Sequence, residues 1–193
     1  KLSQKEDTSE LLALAAMPAD DLERIPAARL VVVLDRPASP GNLGAIIRSC
    51  DALGADGLVI TGHAVDLYDP ETIRATTGSF FSIPTVRLAS HTELAAWLER
   101  LKQASSAWQV VGTSAKGQVP LPEHDFSTPT VLLVGNETQG LSQNMRALCD
   151  HLVTIPMAGS ASSLNVANAA SIFLYEIARQ QGKLAPRQVG VEQ

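Results

Sequence analysis

The stretch IPMAGSASSLNVANAASIFLY, residues 155–175, carries the clearest structural pattern in the chain. It begins as a strand end, passes through small residues from Gly159 to Ser163, and predicts a helix whose first turn holds Ser163 and Asn165. Backbone N–H groups at the start of a helix have no partner within the helix and can hold a ligand. The stretch therefore predicts a binding site where a loop leads into a helix.

Two upstream stretches have the same form. PGNLGAIIR (residues 40–48) and LLVGNETQGLS (residues 132–142) each predict a strand end, a turn rich in Gly and Asn, and a helix start. In open α/β sheets, ligands bind outside the carboxyl ends of the strands. The three turns therefore predict one composite site at that edge of a sheet.

Strands and helices alternate along most of the chain. Apolar runs predict strands at residues 29–35, 57–61, 85–88, 108–113, 130–135 and 152–155. Helical periodicity predicts helices at residues 9–16, 42–53, 70–77 and 91–104, and two more that start near Leu141 and Ser163. This alternation indicates an α/β fold, a mainly parallel sheet with helices on both faces.

Composition narrows the class of protein. A chain of 193 residues, 45% hydrophobic, is long enough for one main domain, and its apolar runs are too short to predict a membrane span. Cys50 and Cys149 are interpreted as free thiols, which favours a reducing cytoplasm. The net charge of −5 argues against indiscriminate nucleic-acid binding, although four arginines within residues 24–48 leave a local basic face open.

Several common motifs are missing from the sequence. The turn after Asp35 lacks G-x-G-x-x-G, the GNETQG turn has no lysine after its second glycine, and no G-x-S-x-G occurs. The four histidines lack the spacing of metal ligands, so no metal is predicted.

The polar residues of the three turns suggest their own chemistry. Asn42 follows Gly41 as a natural helix N-cap. Arg48, on an otherwise apolar helix, is either solvated on the outer face or directed into the site, and we favour the second interpretation. Glu137 could pair with Arg48 or with an Asn amide, or act as a first-turn acid. Ser163 could be a simple N-cap, whereas Asn165, placed inside the helix, has poor helix propensity there and so hints at function.

At these turns the sequence resembles the SpoU (TrmH-like) branch of the SPOUT superfamily of RNA methyltransferases. The motifs, in order, are Asn42-Leu-Gly-Ala-Ile-Ile-Arg48, Leu133-Val-Gly-Asn-Glu137-x-x-Gly-Leu141 and Ile155-Pro-Met-x-Gly-x-x-x-Ser163-Leu-Asn165-Val. The resemblance covers roughly residues 30–180. It implies a SpoU methyltransferase domain at residues 29–182, after a segment 1–28 that is a linker or the edge of a missing N-terminal RNA-binding module, and before a polar tail at 183–193.

The resemblance also implies a fold detail, a cofactor and a partner. The C-terminal part would form a trefoil knot, which general topology rules disfavour, and would bind S-adenosylmethionine. The enzyme would be a homodimer with its site completed across the interface, and the apolar final helix is the candidate interface. The residues implied for cofactor binding are Thr113, Gly135, Ile155, Met157 and Leu164.

The implied reaction is methyl transfer to a ribose 2′-hydroxyl of rRNA or tRNA. The family credits Arg48 with activating the hydroxyl; because a guanidinium stays protonated, we expect a cation that stabilises the developing alkoxide or holds a phosphate. Asn42, Glu137, Ser163 and Asn165 would orient Arg48, the ribose and the cofactor loop. Two alternatives stay open: base methylation by a SPOUT-type enzyme, and a non-catalytic module that binds RNA or cofactor.

Overall fold

The computed structural model of the protein describes residues 14–26 and 28–184. The strands are β1 Leu30–Asp35, β2 Gly57–Thr61, β3 Thr85–Leu88, β4 Gln109–Thr113, β5 Val119–Pro120, β6 Thr130–Val134 and β7 His151–Thr154. The α-helices are α1 Pro40–Ala52, α2 Pro70–Ala75, α3 His91–Ala104, α4 Gln143–Ala147 and α5 Val166–Gln180. Three short 3-10 turns lie at Leu22–Arg24, Ser79–Phe81 and Leu121–Glu123.

All seven strands form one sheet in the order β3-β2-β1-β6-β4-β7-β5. Every pairing between neighbours is parallel. The predicted mainly parallel sheet is therefore confirmed, and the carboxyl ends of its strands share one edge.

The sheet is covered by helices on both faces, as predicted. Successive side chains of a strand point to opposite faces, so Leu30, Val32 and Leu34 of β1 join one core while Val31 and Val33 join the other. Helices α1 and α5 supply the first core, and α3 and α4 supply the second.

The predicted elements match the observed ones most closely inside the domain. The helix predicted at residues 91–104 has the observed bounds, whereas the two-residue strand β5 has no pattern that predicts it. Of the helix predicted at residues 9–16, residues 9–13 lie outside the described part of the chain, and residues 14–16 are not helical. No helix within residues 14–26 and 28–184 is long and apolar enough to cross a membrane.

The two cysteines are free, as predicted, but only one is fully buried. Cys50 lies in the core to which α1 and α5 contribute, and Cys149 is half-buried. Burial raises the pKa of the Cys149 thiol to about 12, and it raises that of Cys50 as well. Both thiols therefore stay protonated and unreactive near neutral pH.

Candidate active site

A cleft lies at the carboxyl ends of β4, β6 and β7, where the fold brings two of the three predicted turns together. Its volume is about 470 Å³, a size typical of small-molecule sites. The walls come from the residues after β4, the turn after β6, the end of β7 and the start of α5. Two turns of the predicted composite site therefore form the cleft, whereas the turn at residues 40–48 is not part of its lining.

All five residues predicted to bind a cofactor line this cleft. They are Thr113, Gly135, Ile155, Met157 and Leu164, and the predicted catalytic residues Glu137 and Ser163 line it with them. Met157 and Leu164 are about 40% exposed, which leaves apolar surface open to a ligand. The prediction missed Lys116 and Arg146, two exposed cations in the lining that belong to no motif.

The turn after β6 has a shape that only glycine allows at its first residue. A Cβ on Gly135 would lie 2.3 Å from the carbonyl carbon of Gly140 and from the nitrogen of Leu141. The chain folds back so closely because Asn136 and Gly140 exchange two backbone hydrogen bonds, of 3.1 and 2.9 Å. Gly140 itself has a φ of 66°, in the left-handed region that favours glycine.

Glu137 joins this turn to the start of α1. Its carboxylate accepts hydrogen bonds from the backbone N–H groups of Ala38 and Ser39 and from the Asn42 side-chain amide, at 3.1 to 3.3 Å. Of the partners left open by the sequence, the structure has the Asn amide and not Arg48. Glu137 also does not lie in the first turn of a helix, since α4 begins only at Gln143.

A chain of side chains continues from Glu137 to α5. The Asn165 amide donates to Asn42 Oδ1 at 3.1 Å, and the Asn42 amide donates to Glu137 at 3.3 Å. Three segments that are far apart in sequence, at the starts of α1 and α5 and in the Glu137 turn, are thus connected through amide groups. Of the four residues predicted to orient Arg48, the ribose and the cofactor loop, this chain connects three and does not include Ser163.

The helix starts differ from the prediction, for a definite reason. Ser39 is the N-cap of α1, because its hydroxyl accepts from the Asn42 N–H, and Pro40 then begins the helix. Asn42 is therefore not the cap, and its side chain is left to bond elsewhere. Asn165, predicted inside α5, is instead its N-cap and accepts from the N–H groups of Ala167 and Asn168. The prediction that Asn165 has poor helix propensity at its position is therefore wrong, because asparagine is favoured at an N-cap.

Ser163 and Arg48 occupy different positions relative to the cleft. Ser163 lies three residues before α5, exposed on the cleft wall, and is neither its N-cap nor in its first turn. Arg48 lies on α1, exposed, and is not part of the cleft lining of its own chain. It forms none of the ion pairs or side-chain hydrogen bonds found among the described residues.

A second connection, which the sequence did not suggest, ties β1 to the Glu137 turn. Asp35 is buried, pairs with Arg36 at 2.9 Å and accepts from the Ser142 N–H, while Arg36 donates to Gln139 and to the Gly140 carbonyl. Burial alone would raise the pKa of Asp35, but the hydrogen bonds from Arg36 and Ser142 outweigh it and hold the pKa below its usual value. The carboxylate therefore stays ionised and anchors the turn.

Comparison with known proteins places the chain in a family. Residues 29–175 match the SpoU rRNA Methylase family, and the chain belongs to it. It is 53% identical over 180 residues to a 23S rRNA (uridine(2479)-2′-O)-methyltransferase of Streptomyces viridochromogenes, covering 92% of this chain and 63% of that protein. It is also 38% identical to the 23S rRNA (guanosine-2′-O-)-methyltransferase RlmB of Pseudomonas syringae, over 86% of this chain and 64% of the relative.

A solved structure shows the same fold. The SpoU methyltransferase AviRb from Streptomyces viridochromogenes, crystallised with AdoMet, superposes with a TM-score of 0.83 at 55% identity, covering 86% of this chain and 67% of that one. The chain thus spans somewhat less than two thirds of the length of the curated relatives described above. Among residues 14–26 and 28–184, no group of three His, Cys, Asp or Glu side chains could hold a metal ion.

Proposed function

We propose that the protein is an S-adenosylmethionine-dependent RNA methyltransferase that methylates a ribose 2′-hydroxyl of rRNA or tRNA. The observation that carries the proposal is that one cleft gathers all five residues predicted to bind the cofactor. The 53% identity to a named 23S rRNA 2′-O-methyltransferase supports the same reaction.

The cleft has a lining that suits S-adenosylmethionine. Val134, Ile155 and Leu164 offer apolar walls for an adenine ring, and the tight turn at Gly135 exposes backbone to the ligand. We propose that these residues hold the cofactor together with Thr113 and Met157. When bound, the cofactor supplies an activated methyl group on a sulfonium.

We propose that Glu137, Asn42 and Asn165 position the site rather than move protons. The Glu137 carboxylate already accepts three hydrogen bonds, so its lone pairs are largely occupied. The amide chain fixes the starts of α1 and α5 against the cleft wall. Ser163, whose side chain borders the cleft without a described partner, would contact the cofactor or the ribose.

Arg48 would stabilise the negative charge that develops on the ribose oxygen. A guanidinium keeps its proton, so it acts as a fixed cation and not as a base. Because Arg48 lies outside the cleft of its own chain, this role requires that it reach the cleft of a second subunit. The protein is therefore proposed to be a homodimer, with the exposed Ile172 and Tyr175 of α5 in the interface.

Four further features belong to the proposal. The C-terminal part would be knotted as a trefoil, the enzyme would work in the cytoplasm without a metal, and an N-terminal RNA-binding module would precede residue 29. The family resemblance supports the knot, and a crystal structure whose residues 130–180 thread no loop would contradict it. An intact-mass measurement of the native protein tests the module, since a natural chain starting near Lys1 would rule it out.

Transfer of labelled methyl from S-adenosylmethionine to size-fractionated total RNA, followed by digestion to nucleosides, tests the reaction. We expect label in a 2′-O-methyl nucleoside, and the labelled fraction identifies the RNA class. Label in a methylated base would favour base methylation instead. Cofactor binding without transfer would favour a binding module, and absence of cofactor binding would contradict the whole proposal.

A further inference from the structure

The aromatic ring of Phe81 lies exposed on the surface outside the cleft. Phe81 is 81% exposed, whereas its neighbour Phe80 is half-buried and packs against the core. Both lie in the 3-10 turn Ser79–Phe81, between α2 and β3. Single exposed apolar side chains are common, so exposure alone assigns no role to this ring.

The ring is held in place by other aromatic groups. The Phe81 and Phe80 centroids are 5.2 Å apart with the planes at 81°, and Phe80 meets Tyr68 at 5.7 Å and 71°. Edge-to-face pairs of this kind are favourable. Phe81 is therefore held at the surface by edge-to-face contacts with rings that pack against the core. A base that stacked on Phe81 would restrict the motion of its side chain only slightly further.

The backbone before the ring is strained. Thr77 has a φ of 49° and Gly78 a φ of 102°, so two consecutive residues lie in the left-handed region. This region disfavours a β-branched residue such as threonine. Strain of this kind persists where the surroundings enforce it, and it is concentrated at functional sites.

This turn follows a helix that runs along α1. A Cβ on Gly41 would lie 3.7 Å from the Glu71 carboxylate, and one on Gly44 would lie 2.5 Å from the Ala75 Cβ, so α1 and α2 advance in the same direction. Arg48 is four residues beyond Gly44 and shares its helix face. The turn Ser79–Phe81 contacts α1, and the common direction of the two helices places it toward the end of α1 that carries Arg48.

Two exposed arginines lie on the helices that flank the turn Ser79–Phe81. Arg48 and Arg74 are both exposed and form no ion pair or side-chain hydrogen bond within the described part of the chain. Residues 72–92, which include Phe81, contain no Asp or Glu, and the carboxylates of Asp66, Asp69 and Glu71 lie before or at the start of α2. A protein partner would favour a broader apolar patch, whereas one ring beside unpaired arginines suits a nucleotide, whose base stacks and whose phosphate attracts a cation.

We propose that Phe81 is a stacking platform for a nucleobase of the RNA substrate and that Arg74 contacts a neighbouring phosphate. This inference rests on the proposed function, because the RNA that stacks here is the RNA whose ribose approaches Arg48. The platform extends substrate binding from Arg48, which serves the cleft of the second subunit, along the surface of α1 and the turn Ser79–Phe81.

Steady-state methyl transfer by Phe81→Ala, in the protein at its full natural length with its methyl-accepting RNA fraction, tests the platform. We expect KM for RNA to rise about tenfold, as for the loss of one base stack, while kcat and cofactor affinity change less than about twofold. Phe81→Trp keeps a stacking surface and should restore KM. Arg74→Gln should weaken binding and lower its salt dependence, whereas Arg100→Gln on α3 should do neither.

An unchanged KM for Phe81→Ala in an enzyme that methylates RNA would overturn the platform and leave the proposed function standing. Conversion of Phe81→Ala from dimer to monomer in light scattering would also overturn it, because the ring would then belong to a subunit interface. If the parent protein transfers no methyl, the proposed function fails by itself. Filter binding of labelled RNA then decides the platform: equal affinity for parent and Phe81→Ala overturns it.

Discussion

Two walls of the same cleft are built in opposite ways. The turn wall, residues 135–142, is fixed by the Asn136–Gly140 pair, by the donors to Glu137 and by the Asp35 anchor. The loop wall, residues 156–165, is exposed throughout, and none of the hydrogen bonds in the described chain involves residues 156–164. One wall is thus preformed, whereas the other is held only by β7 and by the Asn165 cap. We expect the ligand or a second subunit to order the loop wall.

The largest expected effect is on the rate of methyl transfer, and it concerns Arg48, which belongs to neither wall. Arg48→Ala should lower methyl transfer by about 10²–10³-fold, because a cation at the developing alkoxide is lost, while cofactor affinity stays nearly intact. Single-turnover transfer and equilibrium cofactor binding measure the two quantities. The matched variant Arg100→Ala, on α3, should change neither. Equal losses of transfer and affinity for Arg48→Ala would refute this division of roles.

The next effect compares one glycine from each wall. Gly135→Ala would place a Cβ 2.3 Å from two backbone atoms, so the turn must open, at a cost of about 3 kcal/mol or more. Gly159→Ala meets nothing within 4 Å and should leave the free energy of unfolding nearly unchanged. Urea unfolding and cofactor binding would measure both variants. If Gly159→Ala is as destabilising as Gly135→Ala, the two walls do not differ as described.

A smaller effect is expected where the turn wall meets α1. Glu137→Gln removes the charge and one acceptor oxygen, so the N–H groups of Ala38 and Ser39 lose a charge-assisted partner, at a cost of about 1.5–3 kcal/mol. Denaturant unfolding measures it, and Glu71→Gln on α2 is the exposed control. A stability equal to that of the parent would show that the carboxylate does not anchor the turn.

The smallest effect concerns the one residue that holds the loop wall at α5. Asn165→Asp keeps an oxygen that caps the helix, so stability should change by less than about 0.5 kcal/mol, but it removes the donor to Asn42. Methyl transfer should then fall several-fold with little change in melting temperature. Asn165→Ala should lose about 1 kcal/mol of stability as well. Unaltered transfer by Asn165→Asp would mean that the amide chain has no role in positioning.

Many of the helices, strands and cleft residues were predictable, because the pattern of apolar residues in a short segment indicates which of its side chains are buried. The apolar run of β1 and the periodicity of α3 predicted their elements, and the family resemblance implied five cofactor-binding residues, including Gly135, that all line the cleft. The helix starts were missed, because the sequence favoured Asn42 and Ser163 as caps, and only backbone geometry shows that Ser39 and Asn165 hold those positions. Lys116 and Arg146 were missed because one lies in the loop after β4 and the other on α4, both outside the motifs.

By itself, the sequence determined the α/β class, the family and the residues of the three turns, since each depends on short-range pattern and spacing. The tertiary structure decided which of those residues meet. Glu137 could pair with Arg48 or with an amide by charge and chemistry alone, and the fold placed it against Asn42 and the start of α1. Such choices depend on contacts between segments about 100 residues apart, whose geometry is set by the order of strands in the sheet. For the same reason Arg48 faces outward from its own cleft, a fact that no motif records.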